Sequence, residues 1–577
     1  MGTQDLKAIP RRAQPGPVPL SAAQAQLCTL QHLDRRNPAW NRPLVIRLTG
    51  RLDIRGLEWS LTEIVRRHEI LRTVFPEIGG EPVQIVRPVE PLHLAIKSLE
   101  YLPGSERRKG IAQVAVEETR PIFDLARGPL VRTVLLRLYE EEHVLVLLMH
   151  HIVFDEWSEG ILLRELTALY EMFDGGKATS PLPELPIQYA DFSIWEHKRL
   201  TDAALKTQLD YWRQRLHGLS PLRLPTDYPR TSTFTHQGAS QSFMLPLSLV
   251  GELKDLSRQE QVTFFMTLLT ALQVVLSRYT GQEDIAVGVP IAGRTQLETE
   301  SLIGYFINLL VLRVALPRNI NFREALSRVR DSALDAYGNQ EVPFQTLVKE
   351  LRPRGSANFS PLFRVMFELR NLPKAPIQQF KQLRMEIVPF SPDAIGALDL
   401  VVEVLEKENG LCCTCRYAAE LFRPGTIKSI TENFRTVLQR IIDNPHQRLS
   451  DLPLDTEADR QQRKLDWQDA KRELFDATCS SQCFEARVER IAEAAAEVTK
   501  VKTDLEEKIT QIWRDVLGLD EVGVSDNFFE LGGHSLLMVQ IHNKISDLLG
   551  KEYPVIDLCS YPTIGSLADY LTRQHHG

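Results

Sequence analysis

The stretch Met149-His150-His151-Ile152-Val153-Phe154-Asp155-Glu156-Trp157-Ser158 follows a short apolar run over residues 144–148. A run of this length and composition predicts a buried strand. Because successive side chains of a strand point to opposite faces, one imidazole of the pair can face a cavity while the other packs inward. One histidine with a carboxylate further along the chain is too few ligands for a zinc site. The pattern suits a single imidazole that acts as an acid, a base or a hydrogen-bond partner, and two histidines satisfied at the end of a strand are the alternative.

Length, composition and charge limit the class of protein. The 577 residues predict roughly three to four domain-sized units. The hydrophobic fraction of 43% and the charged fraction of 25% are ordinary for soluble globular proteins. The net charge is −7, with no basic stripe of the kind that binds nucleic acid. The sequence shows no signal peptide and no apolar run near the ~20 residues that span a bilayer, so we expect neither a nucleic-acid nor a membrane partner.

The cysteines indicate a reducing compartment. Seven is an odd number for a disulfide framework. Cys412, Cys413 and Cys415 cluster in a β-like run with no nearby histidine, which favours buried thiols over metal ligands. We therefore expect no metal site and a cytoplasmic location.

The histidine stretch resembles a known motif. His150-His151-x-x-x-Asp155-Glu156 is similar to the HHxxxDG signature of condensation domains of non-ribosomal peptide synthetases, with Glu156 where that family usually has glycine. Further stretches resemble the other motifs of the family in its own order: Ser21-Ala22-Ala23-Gln24, RHEILRTVF at 67–75, YADFSIW at 189–195, IGYFINL at 303–309, NQEVPFQ at 339–345 and SPLFRVMF at 360–367. Departures from the family pattern occur at Gln26, Cys28, Glu156 and Leu309. The chain is identified as a member of this family.

The resemblance implies a fold and a division into domains. It implies an α/β (α+β) fold of two chloramphenicol-acetyltransferase-like halves in a V-shaped pseudodimer, with a tunnel that reaches the histidine motif from both sides. We place the first half at residues 18–200 and the second at 201–460. Residues 1–17 are polar and proline-rich, which is typical of an interdomain linker and suggests that an upstream carrier was once attached.

Residues 461–500 resemble the start of another domain. Leu474-Phe475 and the stretch CFEARVERIA at 483–492 are similar to the opening of an adenylation domain, but the several hundred residues that normally follow are absent. We expect a linker that keeps a remnant of that opening, in a chain that does not activate its own amino acid. Whether the adenylation domain is missing naturally or by engineering is left open.

The last unit, at 501–577, is predicted to be a small all-α domain. Thr503 is a candidate N-cap and Glu506 completes a capping box. The paired glycines 532 and 533 place Ser535 at an exposed helix start, where free N–H groups can face a phosphate, and an ordinary N-cap is the alternative. The stretch DNFFELGGHSLL at 526–537 resembles the carrier-protein signature. That resemblance implies a four-helix peptidyl carrier protein with 4′-phosphopantetheine attached covalently to Ser535.

The two resemblances together imply a reaction. A condensation domain transfers an acyl or peptidyl group from an upstream carrier thioester to an amine on a downstream carrier, here the chain's own. We expect the donor to come in trans, because no carrier precedes Ser21. His151 is the residue that the family uses, either as a base or to position the amine, and we leave both roles open.

Other residues of the motifs have predicted roles. Asp155 is expected to be structural and to pair with an arginine, for which Arg294 is the candidate, because an unpaired buried carboxylate is costly. Glu156 either meets a backbone conformation that suits glycine or adds a carboxylate beside the tunnel, where it would favour a cationic acceptor. The candidate site residues are His151, His150, Asp155 and Ser535, with Glu156, Arg294, Arg72, Asn308 and Trp157 as structural or tunnel candidates.

Related domains differ from this pattern in order or in motif. An epimerisation domain normally follows its carrier, and a cyclisation domain has a DxxxxD pattern in place of the histidine pair, which this chain keeps. Ester formation with a hydroxyl acceptor, and a catalytically weak docking platform for enzymes that act on the carrier, remain open. The expected partners are an upstream donor carrier, a phosphopantetheinyl transferase and an adenylation enzyme that loads the carrier in trans, for a monomeric chain.

Overall fold

The fold is given by a computed structural model. It describes residues 8–14, 16–33, 38–173, 179–199, 203–220, 222–230, 238–351, 362–370, 378–380, 383–388, 398–452, 454, 505–517, 519, 522–524, 526, 528, 541, 544–546, 548–549 and 563–575. The predicted remnant at 461–500, the N-cap Thr503 and Ser535 lie outside the described residues.

Strands and helices alternate through both halves of the chain up to residue 452. The strands are β1 Val18–Pro19, β2 Asn41–Gly50, β3 Thr73–Val74, β4 Glu77–Ile78, β5 Glu81–Val86, β6 Ala95–Ser98, β7 Val131–Tyr139, β8 Glu142–His150, β9 Gly238–Pro246, β10 Asp284–Ile291, β11 Asn308–Ala315, β12 Val365–Arg370, β13 Gln378–Phe380, β14 Leu383–Ile387, β15 Leu400–Lys407 and β16 Gly410–Ala418. The helices are α1 Ala22–Leu33, α2 Ile54–Arg67, α3 Gly104–Thr119, α4 Glu156–Met172, α5 Tyr189–Arg199, α6 Ala203–Leu216, α7 Leu247–Gln259, α8 Phe264–Thr280, α9 Phe322–Gly338, α10 Phe344–Leu351 and α11 Pro424–Asp443.

Two six-stranded mixed sheets organise these elements. The order of the first is β13-β14-β2-β8-β7-β6, and the order of the second is β11-β10-β12-β15-β16-β9. A smaller sheet contains β1, β5, β3 and β4. Helices pack against both large sheets, so the predicted α/β architecture of two similar halves is confirmed.

The apolar run before the histidine pair forms the centre of the first sheet. Residues 145 and 147 of β8 are buried in the cluster that also contains α4 side chains, whereas residues 144 and 146 are buried in the cluster that contains α3 side chains. A strand covered on both faces needs apolar residues at every position, which explains why the run does not alternate. The predicted buried strand is therefore confirmed.

The second half contributes two strands to the sheet of the first half, which the sequence did not predict. β14, from the second half, pairs antiparallel with β2 of the first half, from Leu383 opposite Gly50 to Ile387 opposite Ile46. The buried side chains of Leu383 and Met385 join the core of the first half. Two strands of the second half thus complete the sheet that carries the histidines.

The prediction of a linker at residues 1–17 is wrong for the part between residues 9 and 12. Ile9 is only 4% exposed and belongs to the core of the first half. Arg12 binds Glu69 through its guanidinium at 2.6 Å and Asp191 through its backbone N–H at 3.0 Å. A linker is expected to be solvated, whereas this segment contributes an apolar side chain and two charge-assisted hydrogen bonds to the folded domain.

The cysteine cluster lies on β16. Cys413 and Cys415 are buried free thiols, as predicted, whereas Cys412 is only half-buried. Burial raises the pKa of Cys415 to about 12. Within the described residues no single helix is long and apolar enough to cross a membrane. Only α7 and α8 taken together reach that length and composition, across a bend of 102°.

Most of the described residues of the last unit are helical, which agrees with the predicted carrier fold. Residues 505–517 are helical, and the last described helix is Ile564–His575. Leu505, Ile509 and Trp513 of the first helix share a core with Ile564 and Leu567 of the last. The Trp513 ring lies edge-on against Phe528, with the centroids 5.2 Å apart.

Candidate active site

The two histidines of the motif diverge where β8 ends. His150 is the last residue of β8, and His151 begins a short 3₁₀ turn that leads into α4. The His150 side chain is buried, its Nδ1 accepts the N–H of Ile152 at 3.1 Å, and its ring lies edge-on against Phe123. Burial lowers the pKa of His150 to about 3. His150 is therefore the inward-packing imidazole of the pair.

His151 presents one ring nitrogen as an acceptor. Its Nδ1 lies 2.6 Å from the carbonyl oxygen of Phe154, so Nδ1–H donates and Nε2 carries the lone pair. Nε2 makes no hydrogen bond within the described part of the chain. The ring packs against Tyr305 with centroids 4.8 Å apart. Burial and, to a smaller extent, the charge of Arg42 lower the pKa of His151 to about 3, so the imidazole is neutral near pH 7.

Asp155 is held by four partners. It caps α4 by accepting the backbone N–H and the hydroxyl of Ser158, at 2.9 and 2.6 Å. Its other partners are the Nη2 of Arg294, at 3.0 and 3.1 Å from the two carboxylate oxygens, and the N–H of Phe306 at 3.2 Å. The carboxylate therefore has no capacity left for a substrate, which supports its predicted structural role.

Arg294 is the predicted partner of Asp155, and this ion pair is confirmed. Arg294 follows β10 in the second half, and both side chains are almost completely buried. Its Nη1 donates to the carbonyl oxygens of Thr299 and Leu302, and its guanidinium stacks 4.0 Å from the centre of the Phe306 ring. The ion pair thus fixes the start of α4 to a loop of the other half.

Glu156 has an ordinary helical backbone. It is the first residue of α4, and among the described residues only Gln261 is a non-glycine with positive φ, so the suggestion of a glycine conformation at position 156 is wrong. The carboxylate of Glu156 contacts the guanidinium of Arg370 at the end of β12. It is therefore already paired across the two halves and is not a free charge that would favour a cationic acceptor.

The remaining candidates have structural contacts. The indole N–H of Trp157 donates to the carbonyl of Glu300 at 3.0 Å, across the two halves. The amide of Asn308 donates to the carbonyls of Gln340 and Val342 and accepts the N–H of Phe344, so it shapes the loop before α10. Arg72 binds the carbonyl of Arg87 and lies 3.7 Å from Glu69, so its contacts are within the first half.

Sequence reasoning missed the role of the RHE motif. His68 donates from Nε2 to Glu165 at 2.9 Å, and its Nδ1 accepts the N–H of Ile303 from the second half at 3.2 Å. Arg67 donates to the same Glu165 carboxylate at 2.9 Å. This buried network holds the segment that brings Tyr305 to His151, and the pairing of Arg67-His68 with the distant Glu165 has no local sequence signal.

Two more charged groups near His151 were also missed. Arg42 on β2 lies within electrostatic range of His151, and Glu159 lies one turn into α4. Burial raises the pKa of Glu159 to about 7, although Arg42 opposes that shift. Neither residue belongs to a recognisable motif, so only the folded chain identifies them.

Models of two known protein families match separate parts of the chain. The family model of the condensation domain matches residues 14–464, and that of the phosphopantetheine attachment site matches residues 507–571. A linear gramicidin synthase of Brevibacillus parabrevis is 40% identical over 502 residues, which are 86% of this chain and 10% of that protein. The chain thus spans about a tenth of that relative.

Two solved structures resemble the condensation part. The X-domain in complex with OxyB from teicoplanin biosynthesis matches with a TM-score of 0.69 and 26% identity, over 79% of this chain and 100% of that one. SgcC5 of Streptomyces globisporus, in complex with (R)-(−)-1-(2-naphthyl)-1,2-ethanediol and sucrose, matches with a TM-score of 0.65 and 28% identity, over 74% of this chain and 100% of that one.

Proposed function

The chain belongs to the condensation-domain family of non-ribosomal peptide synthetases and carries a phosphopantetheine attachment domain, and we propose that it forms amide bonds. In the proposed reaction an acyl or peptidyl group moves from the thioester of a separate donor carrier to the amine of an acceptor on the chain's own carrier. The proposed units are the halves at 18–200 and 201–460, with β13 and β14 completing the first sheet, and the carrier at 501–577.

The observation that carries this proposal is the open Nε2 of His151. Because Phe154 holds Nδ1–H, the lone pair of Nε2 is fixed in direction before any substrate arrives. The amine nitrogen attacks the thioester carbonyl, a C–N bond forms, the C–S bond breaks, and the proton of the amine leaves through Nε2 to the departing thiolate. Bound at Ser535, phosphopantetheine supplies the thiol that tethers the acceptor.

The lowered pKa of His151 favours one of its two predicted roles. An efficient general base has a pKa near the working pH, whereas a group with a pKa of about 3 is a weak base at neutrality. An α-amine titrates near 8 and is partly neutral without help. We therefore assign His151 the role of orienting the amine and accepting its proton only as the new bond forms.

Intact-mass analysis of the carrier tests the reaction. The carrier is first loaded with an aminoacyl-pantetheine by a phosphopantetheinyl transferase, and a donor acyl thioester is then added. We expect an acylated aminoacyl carrier with the wild type and its loss in His151→Ala, with Ser535→Ala as the loading control. Efficient loading without transfer from a broad set of donors contradicts the proposal.

Two other functions each have one supporting observation. The similarity to an X-domain that forms a complex with OxyB favours a docking platform for an enzyme that acts on the carrier. The similarity to a protein that binds a vicinal diol favours ester formation with a hydroxyl acceptor. A hydroxyacyl carrier tested beside the aminoacyl carrier separates ester from amide formation, and efficient loading without transfer by the wild type would favour docking.

A further inference from the structure

Arg42 occupies a defined position beside the candidate active site. On β2 it lies opposite Met149 of β8, next to the pair of Asn41 and His150. The next residues on the same face of β2 are buried in the cluster that contains α4 side chains: Leu44, Ile46 and Leu48. Because strand side chains alternate, Arg42 faces the same side of the sheet, towards the first turn of α4 and His151.

The charges around Arg42 are largely paired with one another. These pairs are Asp155 with Arg294, Glu156 with Arg370, and Glu403 with Arg416. Arg42 itself is half-buried and, within the described part of the chain, has neither an ion-pair partner nor a hydrogen bond. A half-buried guanidinium that no described carboxylate contacts can offer its N–H donors to a ligand that supplies the counter-ion.

The nearby carboxyls act on this cation only from a distance. Glu159 from α4 and Glu368 from β12 lie within electrostatic range of Arg42, one from each half. Burial raises the pKa of each to about 7, so near neutrality each is about half protonated. Tyr305 and Arg370 also lie within range of Arg42. Together the two carboxyls carry about one negative charge, which balances Arg42 overall, but within the described residues neither carboxylate is in direct contact with its guanidinium.

We propose that Arg42 is a specificity-determining residue that binds a carboxylate carried by one of the two substrates, either on the donor acyl group or on the acceptor side chain. This inference rests on the proposed function, because it assigns a substrate class to the same site. A guanidinium presents a fork of N–H donors that matches a carboxylate, and it discriminates against a neutral amide of the same shape. No covalent bond changes at Arg42.

Paired substrates test this inference. One arm compares a succinyl donor with a succinamoyl donor at a neutral acceptor, and the other compares an aspartyl with an asparaginyl acceptor at a neutral donor. In the arm whose substrate carries the carboxylate that binds Arg42, we expect the wild type to transfer the acid faster than the amide. In the same arm, Arg42→Gln should reduce transfer of the acid about tenfold relative to the amide. Arg42→Lys should retain part of the preference. Arg47→Gln, further along β2 on its other face and in a looser pair with Glu142, is the matched control.

A binding measurement separates this inference from the proposed reaction. Calorimetry with non-hydrolysable succinyl- and succinamoyl-pantetheine thioethers, and with the corresponding aspartyl and asparaginyl analogues, does not require catalysis. An acid preference lost in Arg42→Gln supports the inference even if no transfer occurs, and absence of transfer then counts only against the proposed reaction. No acid preference in the wild type, or an equal loss for acid and amide in Arg42→Gln, would overturn the role of Arg42.

Discussion

Asp155 and Arg294 form a buried ion pair, with Nη2 of the arginine 3.0 and 3.1 Å from the two carboxylate oxygens. The pair joins the residue before α4 to the loop after β10, so it links the two halves one turn away from His151. A residue of the signature motif thus holds the geometry of the candidate active site, and we assign it no part in the proposed chemistry.

Removing one member of this pair should destabilise the protein severely. Asp155→Ala leaves the guanidinium of Arg294 buried and unpaired, and we expect the free energy of unfolding to fall by about 3–5 kcal/mol in a urea titration. Arg258→Gln breaks the exposed pair with Asp255 and should change it by less than about 1 kcal/mol. Similar effects of the two variants would contradict the structural role of Asp155.

The pH dependence of transfer should follow the acceptor amine and not His151. Because burial lowers the pKa of His151 to about 3, its Nε2 stays unprotonated from neutrality down to about pH 5. With an α-amino acceptor we expect the rate to fall as the amine is protonated below about pH 8. With an aminooxy acceptor, whose nitrogen remains neutral, the rate should be nearly constant between about pH 5.5 and 8. A decline centred near the ordinary histidine pKa with both acceptors would rule out this assignment.

His150 should make the stability of the fold sensitive to acid. Its pKa is about 6.5 when unfolded and is lowered to about 3 when folded, so the unfolded chain binds the extra proton in between. The stability that the neutral imidazole of His150 contributes to the fold is fully present above about pH 6.5 and is lost as the pH falls towards 3. Because Glu159 and Glu368 have raised pKa values and act in the opposite direction, the measurement is the difference between wild type and His150→Gln. That difference should shrink on acidification, whereas the exposed His93→Gln should show no such trend.

Glu156 and Arg370 should be coupled across the two halves. Both side chains are partly solvent-exposed, at 17% and 24%, so the ion pair is screened and we expect a coupling energy of about 1 kcal/mol in a double-mutant cycle. Glu156→Gln and Arg370→Gln are the single variants, read by chemical unfolding. Transfer should survive in Glu156→Gln, since the carboxylate is not assigned to the chemistry. Strictly additive effects would show that the contact contributes nothing.

Gly293, just before Arg294, should tolerate no side chain. Its φ is +64°, and a Cβ would collide with the carbonyl oxygen of Phe306. Gly79 has the same φ with open space around it, so Gly79→Ala measures the cost of the conformation alone, about 1 kcal/mol. We expect Gly293→Ala to cost several times more and to abolish transfer by displacing Arg294. Equal losses of stability in the two variants would mean that the close approach of the Phe306 carbonyl oxygen to position 293 adds nothing to the cost of the side chain.

The family motifs predicted a large part of the site. A short apolar run covered on both faces has little choice but a central strand, so the position of His150 and His151 at its end followed from local sequence. The pairing of Asp155 with an arginine, for which Arg294 was the candidate, could be predicted because a buried carboxylate requires a counter-charge. The free carboxylate suggested for Glu156 was wrong, because its partner Arg370 is 214 positions away in sequence.

Local sequence was sufficient for the family, the strand before the histidines, the buried thiols and the helical character of the described part of the last unit, because these depend on periodicity and on motifs of fixed spacing. Tertiary contacts were needed to settle which imidazole packs inward and which presents a ring nitrogen as an acceptor, since the direction of His151 depends on the Phe154 carbonyl and on the packing of Tyr305. They also settled the pairing of β14 with β2 of the first half and the lack of an ion-pair partner for Arg42 among the described residues. Both depend on segments far apart in the chain, where burial and charge pairing are fixed only when the halves meet.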